Sequence, residues 1–233
     1  MHKLLKPSTL GIATAIALVI APNVNAAAIL ETTEPTRSPS IVTDEAAGRT
    51  SPEQDSVYDR HRGRNRHRQI QCNNRQILTA EACSGDEISA EERKLYRLVN
   101  QYRSKKGLPP IPLSTSLNKV ANRHVRDLQN NFTHLTHAWS NCPYDSNRRS
   151  TFKCMWEAPQ RLGTSYRGYG YENAYGSSSS KATAEGAFAG WLSSRPHNDV
   201  ISNRGIWQDV RWNALGIGIY KGYAVLWFGK EKD

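Results

Sequence analysis

The hydrophobic pattern of this chain changes its period near the C-terminus, and that change limits the fold more than any other feature. Between residues 88 and 192, apolar residues recur at helical spacing in three separate stretches. From Leu215 the segment LGIGIY alternates, Lys221-Gly222 forms a two-residue turn, and YAVLWFG continues as a partner strand. Helices followed by a terminal hairpin predict an α+β domain with helices packed on an antiparallel sheet.

Two helices are predicted in the first half of this domain from their caps and apolar spacing. Ser89 and Glu92 form a capping box at the start of the first helix, and a Gly-Leu-Pro-Pro sequence ends it. The second helix has Ser114 or Ser116 as its N-cap. His124 falls near the apolar stripe of the second helix, so we interpret it as a packed core histidine and not as a ligand.

Two histidines and a glutamate lie on separate predicted elements. GYENAYG is predicted to be a loop that carries Glu172. The helical stretch GAFAGWLSSRPHNDV delivers His197, with Ser180 as the candidate cap and Pro196 as the end of the helix. His137 lies upstream in THAWS. Imidazoles suit zinc, and a glutamate can orient a histidine, activate water or join the coordination shell. A site of these three residues is predicted, with a hydrogen-bonded polar cluster without chemistry as the alternative.

His134 competes with His137 for a place in this site, because His-x-x-His spacing puts both imidazoles on one helical face. We favour His137 because Trp139 is its neighbour. Other catalytic chemistry has less support, since the chain has no G-x-S-x-G elbow and Glu172 has no obvious acidic partner.

The N-terminus predicts export. Lys3 and Lys6 precede the apolar run TLGIATAIALVI, and small residues lead to a cleavage site after Ala26, so residues 1–26 are predicted to be a signal peptide. An uncleaved anchor is the alternative, but the run is shorter than the ~20 residues that a membrane span needs. No later stretch could span a bilayer, so the mature chain is predicted to be secreted, periplasmic or located at the cell envelope.

Export favours disulfides, because oxidising compartments let them persist. Pairing Cys72 with Cys83 and Cys142 with Cys154 is the simplest of the three possible connectivities. A zinc site lacks the C-x-x-C spacing, and a catalytic cysteine would have to be left unpaired. Two local bridges are therefore predicted.

Composition divides the exported chain in two. Residues 27–86 are predicted to be a disordered linker that ends in a small disulfide loop, and residues 87–233 form one folded domain. Arginine occupies every second position from Arg60 to Arg68, a run that either grips phosphate-rich polymers or serves as a solvated spacer. Residues 87–233 hold 21 Lys or Arg against 12 Asp or Glu, so the domain favours anionic partners.

The order of these motifs resembles the CAP superfamily, or SCP domain, which includes cysteine-rich secretory proteins, antigen 5 and plant pathogenesis-related proteins. The resemblance covers residues 88 to 229 and rests on LVNQYR, THAWS, GYENAYG, WLSSRPHNDVISN and the two closing strands. Exported bacterial members fit best. The resemblance implies an α-β-α sandwich with a central antiparallel sheet, and a cleft whose two histidines and acidic residues can bind a divalent metal.

Matched motif by motif, the resemblance assigns the metal site to His137, Glu172 and His197. It implies zinc or another divalent cation and no organic cofactor. The glycine that usually precedes the glutamate is displaced by one position, and Ser194 stands where members with a four-residue site carry a second glutamate. The second departure counts against tight metal binding. The ligand cleft is expected to be lined by three residues of these motifs: Tyr171, Asn173 and Ser194.

Two function classes follow. The first is a non-enzymatic binding module at the cell envelope or outside the cell, with an anionic polymer, lipid or glycan as ligand and nucleic acid bound only non-specifically. The second is a metal-dependent peptidase, nuclease or glycan-directed hydrolase in which His137 and His197 hold the ion and Glu172 is the catalytic base. The missing second glutamate favours the first. Four tyrosines of the glycine-rich segment either line a carbohydrate or lipid surface or pack over the sheet: Tyr166, Tyr169, Tyr171 and Tyr175.

Overall fold

The structure is a computed structural model that describes residues 70–233, which form one compact unit. The predicted signal peptide, the Arg60–Arg68 run and most of the predicted linker lie outside the described residues. Within the part of the chain that the structure describes, no helix is both long enough and apolar enough to cross a membrane.

Within residues 70–233, helices come both before and after the first strand, and the other two strands close the fold. The helices are α1 (Gln76–Thr79), α2 (Ala90–Lys105), α3 (Thr115–Asn131), α4 (Lys153–Trp156), α5 (Ala158–Arg161), α6 (Ala184–Ser193) and α7 (Arg195–Ile201). The strands are β1 (Gly170–Gly176), β2 (Ala214–Tyr220) and β3 (Tyr223–Gly229). They form one antiparallel sheet in the order β1-β3-β2, so β3 is central and β1 is an edge strand.

Helices cover both faces of the sheet. Along β3, Val225 and Trp227 pack with α3, whereas Leu226 and Phe228 pack with α2, α6 and α7. This alternation follows from the two-residue period of a strand, and it divides the core into two layers. The predicted α+β class and the α-β-α sandwich are confirmed.

Strand β1 is the element that differs most from the sequence prediction, since GYENAYG is a strand and not a loop. Its residues pair in register with β3, from Gly170 opposite Gly229 to Gly176 opposite Tyr223. Glycine and asparagine have low strand propensity, but pairing and burial decide the conformation.

Two glycines of β2 let α3 lie against the sheet. A Cβ at Gly216 would overlap the carbonyl group of Leu117, and a Cβ at Gly218 would overlap that of Ala121. The backbone of α3 therefore packs directly on the backbone of β2, which sets the distance between helix and sheet.

The helix caps follow the sequence in two of three helices. The capping box of Ser89 is present on α2, and Ser114 caps α3. Thr183, and not Ser180, caps α6, because its side chain accepts from the backbone N–H three residues on. Pro196 does not end α6; it lies in the first turn of α7, where its missing N–H leaves no hydrogen bond unmade.

Both predicted disulfides are confirmed. Cys72 pairs with Cys83, and Cys142 pairs with Cys154, with Cα atoms 5.5 Å apart in each pair. The first bridge closes a loop before α2, and the second closes the loop that precedes α4.

Residues 70–86, which we call the N-terminal clasp, pack on α3. Arg123 of α3 is 0% exposed, and its guanidinium group binds Asp86 through two hydrogen bonds of 2.5 and 2.7 Å. It also donates to the carbonyl oxygens of Ile77 and Ala80 at 2.7 and 3.3 Å. A buried arginine needs these acceptors. The folded unit therefore includes the clasp, which differs from the predicted boundary at residue 87.

Candidate functional site

Glu172 is the centre of the candidate site, and its carboxylate is buried between two imidazoles. It lies on β1 opposite Trp227 of β3, on the face of the sheet that α3 covers. His124 Nδ1 is 2.5 Å from Oε1, and His137 Nδ1 is 2.6 Å from Oε2. Because the side chain of Glu172 is 0% exposed, neither oxygen faces solvent.

His124 belongs to this site as well as to the core. Its ring stacks on Trp139 with centroids 4.4 Å apart, and its Nε2 lies 3.0 Å from the carbonyl oxygen of Ala138. A carbonyl and an ionised carboxylate only accept hydrogen bonds, so both nitrogens of His124 donate and the ring is positively charged. Burial lowers the pKa of His124, but the charge of Glu172 outweighs this and the pKa is raised overall.

The charge of Glu172 is stable at neutral pH. Burial by itself would raise the pKa of this carboxyl, but the charge of His124 and the hydrogen bonds from His124 and His137 lower the pKa of Glu172 to about 2. Glu172 and His124 therefore form a buried ion pair that exists before any ligand arrives.

His137 is oriented by Glu172. Because the carboxylate only accepts, Nδ1 of His137 carries a proton and donates it to Glu172. The other ring nitrogen, Nε2, is not the one that bonds to Glu172. His134 is exposed and packs edge-on against Phe132, with ring centroids 6.2 Å apart. The structure thus brings His137, and not His134, to Glu172.

Tyr144 lies beside His137 and was missed by the sequence analysis. It follows Cys142 in the loop closed by the second disulfide, and its ring packs edge-on against His137 at 5.1 Å. Its hydroxyl is buried, with no hydrogen-bond partner among residues 70–233. Burial and then the charge of Glu172 raise the pKa of Tyr144 to about 12, so the hydroxyl keeps its proton and can donate.

His197 is held from the other face of the sheet. Asn173 follows Glu172 on β1, so its side chain points to the opposite face, where Nδ2 donates to the carbonyl oxygen of His197 at 3.0 Å. His197 Nδ1 is 2.8 Å from Ser194 Oγ. The other nitrogen, Nε2, is buried with no partner in the described part of the chain.

His137 and His197 are close enough to interact electrostatically, although they are held from different faces. Burial lowers the pKa of His197 to about 4, and the nearby His137 adds to this lowering, so the ring of His197 is neutral at pH 7. Since β1 is an edge strand, groups on its two faces can meet around its free edge. The structure therefore joins His137 directly to Glu172, whereas the ring of His197 is hydrogen-bonded to Ser194 and not to Glu172.

The residues expected to line a ligand cleft are mostly covered. Ser194 is partly exposed and holds His197. Tyr171 packs on Trp207 and Trp212 with centroids 5.4 and 5.6 Å apart, and Asn173 is fully buried. Tyr171 and Asn173 are therefore core residues, and only Ser194 of the three is partly exposed.

The donor set fits a divalent metal in part. Nε2 of His197 is a buried imidazole nitrogen with no hydrogen-bond partner among residues 70–233, which is uncommon, and Nε2 of His137 is not engaged by Glu172. Glu172 holds His137 from behind, as carboxylates do in many histidine-ligated zinc sites. Among residues 70–233, no group of three or more His, Cys, Asp or Glu is arranged to hold a metal ion. The two histidines would hold such an ion together with water or a ligand atom.

The family model of the cysteine-rich secretory protein family, CAP, matches residues 96–224, more than half of the chain. The chain belongs to the CAP family. The CAP match runs from within α2 to the start of β3, so it includes His137, Glu172 and His197 and leaves out the N-terminal clasp.

Three solved structures show similarity to this CAP chain. One is an extracellular SCP-domain protein from Bacillus anthracis, 20% identical, with a TM-score of 0.47 over 60% of this chain and 40% of that one. A cysteine-rich secretory protein from Staphylococcus aureus is 16% identical, with a TM-score of 0.43 over 60% of this chain and 39% of that one. An outer surface protein from Borrelia burgdorferi is 19% identical, with a TM-score of 0.46 over 63% of this chain and 97% of that one.

The chain thus spans about two fifths of the length of the first two of these proteins. No curated protein matches it.

Proposed function

We propose that this CAP-domain chain is exported and acts as a binding module at the cell envelope or outside the cell. Its cleft would hold a divalent metal ion, zinc in the first instance, between His137 and His197. Its basic surface would hold an anionic ligand. The predicted signal peptide and the two disulfides support export, because disulfides persist in oxidising compartments.

The hydrogen bonding of Glu172 is the observation that supports this proposal most directly. Both of its oxygens accept hydrogen bonds from imidazoles, at 2.5 and 2.6 Å. A carboxylate in this state orients His137, and it could act as a general base only after leaving His124 and His137. The geometry therefore supports binding more than the alternative of a metal-dependent hydrolase with Glu172 as its base.

A bound metal ion would supply a Lewis-acidic centre for an oxygen or nitrogen atom of the ligand. The chain's own residues would do the rest. Glu172 keeps the proton of His137 on Nδ1, Ser194 fixes the ring of His197, and Tyr144 offers a hydroxyl proton. This division of roles needs no movement of the buried ion pair.

Zinc titration by calorimetry tests the proposed metal site. His137→Ala and His197→Ala should each weaken zinc binding at least tenfold, because each removes one of two protein ligands. Glu172→Gln should weaken it by about 10- to 100-fold, as is typical of groups that orient a metal-bound histidine. His134→Ala is the matched control, since it removes an exposed histidine that does not contact Glu172, and it should bind as the wild type does.

Two results would contradict the proposal. Unchanged zinc affinity in both His137→Ala and His197→Ala would remove the metal site. Zinc-dependent cleavage of a peptide, glycan or nucleic acid, lost in Glu172→Gln with the fold intact, would replace the binding module by the hydrolase.

A further inference from the structure

An open trough of about 990 Å³ lies off one end of the sheet, where β1 and β2 begin and β3 ends. One wall is the loop before β1, with Arg167 and Tyr169, and the other is the segment 230–232 that follows β3. We call this feature the sheet-end trough. None of the histidines of the candidate metal site lines it.

The walls of the sheet-end trough are tied to each other and to the core. Tyr166, which is 1% exposed, accepts a hydrogen bond of 2.9 Å from the backbone N–H of Glu231, so the loop wall holds the opposite wall. Asn213 donates to the carbonyl oxygen of Lys230 at 2.6 Å. Because these groups are already fixed, a ligand would not have to order them on binding.

The trough carries excess positive charge. Arg167, Lys230 and Lys232 line it, against the single carboxylate of Glu231. None of the three cations forms an ion pair with another residue of the described chain. Lys230 lies over the ring of Tyr171, with Nζ 5.3 Å from the centroid. Cations without a carboxylate partner attract an anion.

Tyr169 gives the trough an aromatic rim. Of the four tyrosines in the glycine-rich segment, it alone is exposed, at 47%, whereas the other three are buried in the core: Tyr166, Tyr171 and Tyr175. Trp156 backs its ring, with centroids 6.0 Å apart and planes 30° apart. An exposed ring that is held from behind offers its free face to a flat, partly apolar ligand.

We propose that the sheet-end trough binds an acidic sugar unit of an anionic glycan. The sugar ring would stack on Tyr169, its carboxylate would pair with Arg167 and Lys232, and its hydroxyls would meet the polar groups of Ser165 and Asn213. This inference rests on the proposed binding function and locates its anionic ligand. A nucleic-acid strand fits less well, because strand binding uses several successive exposed rings and the trough has one.

Calorimetric titration with oligogalacturonate, a carboxylated glycan, tests this inference on the full chain. Arg167→Ala/Lys232→Ala should weaken binding about tenfold, since charged groups at a binding surface act through both attraction and pairing. Arg97→Ala/Lys105→Ala is the matched control, because it removes the same two charges from exposed positions on α2. It should weaken binding far less. Tyr169→Ala should weaken binding about fivefold through the lost stacking.

Neutral dextran, a single-stranded thymidine oligonucleotide and tripolyphosphate complete the test. All three should bind more weakly than oligogalacturonate. If the trough variant and the control variant lose the same amount of affinity for oligogalacturonate, the trough is not the binding site. The glycan would then bind to the basic surface as a whole. Equal affinity for the oligonucleotide or tripolyphosphate would overturn the glycan assignment. If the wild type does not bind oligogalacturonate, the trough proposal fails, and the separate zinc titration decides whether the metal-site proposal fails with it.

Discussion

Glu172 carries a negative charge into the interior of the protein, and two imidazoles hold it there from different elements. The positive charge of His124 offsets the cost of burying the carboxylate, and the hydrogen bond from His137 fixes the orientation of that second ring. The site is therefore built around His137, whose ring is oriented by the hydrogen bond from Nδ1 to the carboxylate of Glu172. His197 is neutral, and its Nε2 is buried with no hydrogen-bond partner among residues 70–233.

Glu172→Gln is expected to lower the free energy of unfolding at pH 7 by about 3–5 kcal/mol, because the charge of His124 would lose its buried partner. The pKa of Glu172 is lowered from 4.5 to about 2, so its contribution is present above pH 4.5 and is lost as the pH falls toward 2. The variant should therefore lose less stability than the wild type over that range. Urea unfolding across the range measures the difference.

Glu81→Gln is the control for this prediction, because it neutralises an exposed glutamate. It should follow the wild-type profile. A Glu172→Gln profile parallel to that of the wild type between pH 4.5 and 2 would show that Glu172 is not held as a buried anion.

Motif order selected His137, Glu172 and His197 from the sequence, and the structure joins the first two by a hydrogen bond. His124 and Tyr144 could not be selected as partners in the same way. A histidine in an apolar helical stripe gives no sign of its partner, which depends on where β1 lies against α3. Tyr144 is brought to His137 by the path of a disulfide-closed loop, which sequence spacing does not specify.

Strand β1 is the element that builds the site, because its alternation sends Glu172 to one face and Asn173 to the other. Sequence analysis predicted a loop here, since glycine and asparagine disfavour strands and only pairing with β3 reveals the strand. The break between α6 and α7 was also missed. Pro196 starts a new helix, so His197 lies on a separate short helix after Ser194.

Gly216→Ala is predicted to destabilise the fold by about 1–3 kcal/mol, because the new methyl group would press on the backbone of α3. The rigid contact of α3 with β2 leaves no side chain that could move away. Thermal unfolding measures the effect. Gly222→Ala in the hairpin turn is the control, since the nearest atom to its Cβ would be at 3.5 Å. A Gly216→Ala melting temperature equal to that of the control would contradict the close packing of α3 on β2.

The folded part of the described chain is larger than the α-β-α sandwich that the hairpin and the helices predict. The N-terminal clasp lies outside the CAP match, yet it supplies the carboxylate and carbonyl acceptors of the buried Arg123. Composition assigned the clasp to the linker, because its residues are mostly polar. Burial of Ile77 and the ion pair of Asp86 outweigh that composition.

A fragment of residues 87–233 is therefore expected to be less stable than a fragment of residues 70–233 by about 1.5–3 kcal/mol, because the burial of Ile77 would be lost together with the ion pair of Arg123. Urea unfolding of the two fragments measures this difference. Asp86→Ala in the longer fragment should reproduce much of the loss. Equal stability of the two fragments would show that the clasp is not part of the folded unit.

The protonation of the histidine side chains tests the central claim most directly. Nitrogen-15 NMR of the imidazoles at pH 7 should show His124 protonated on both nitrogens, as its two acceptors require. It should show His137 with a proton on Nδ1, where Glu172 accepts it. A neutral His124, or a His137 whose proton lies on Nε2, would contradict a site in which Glu172 holds both rings.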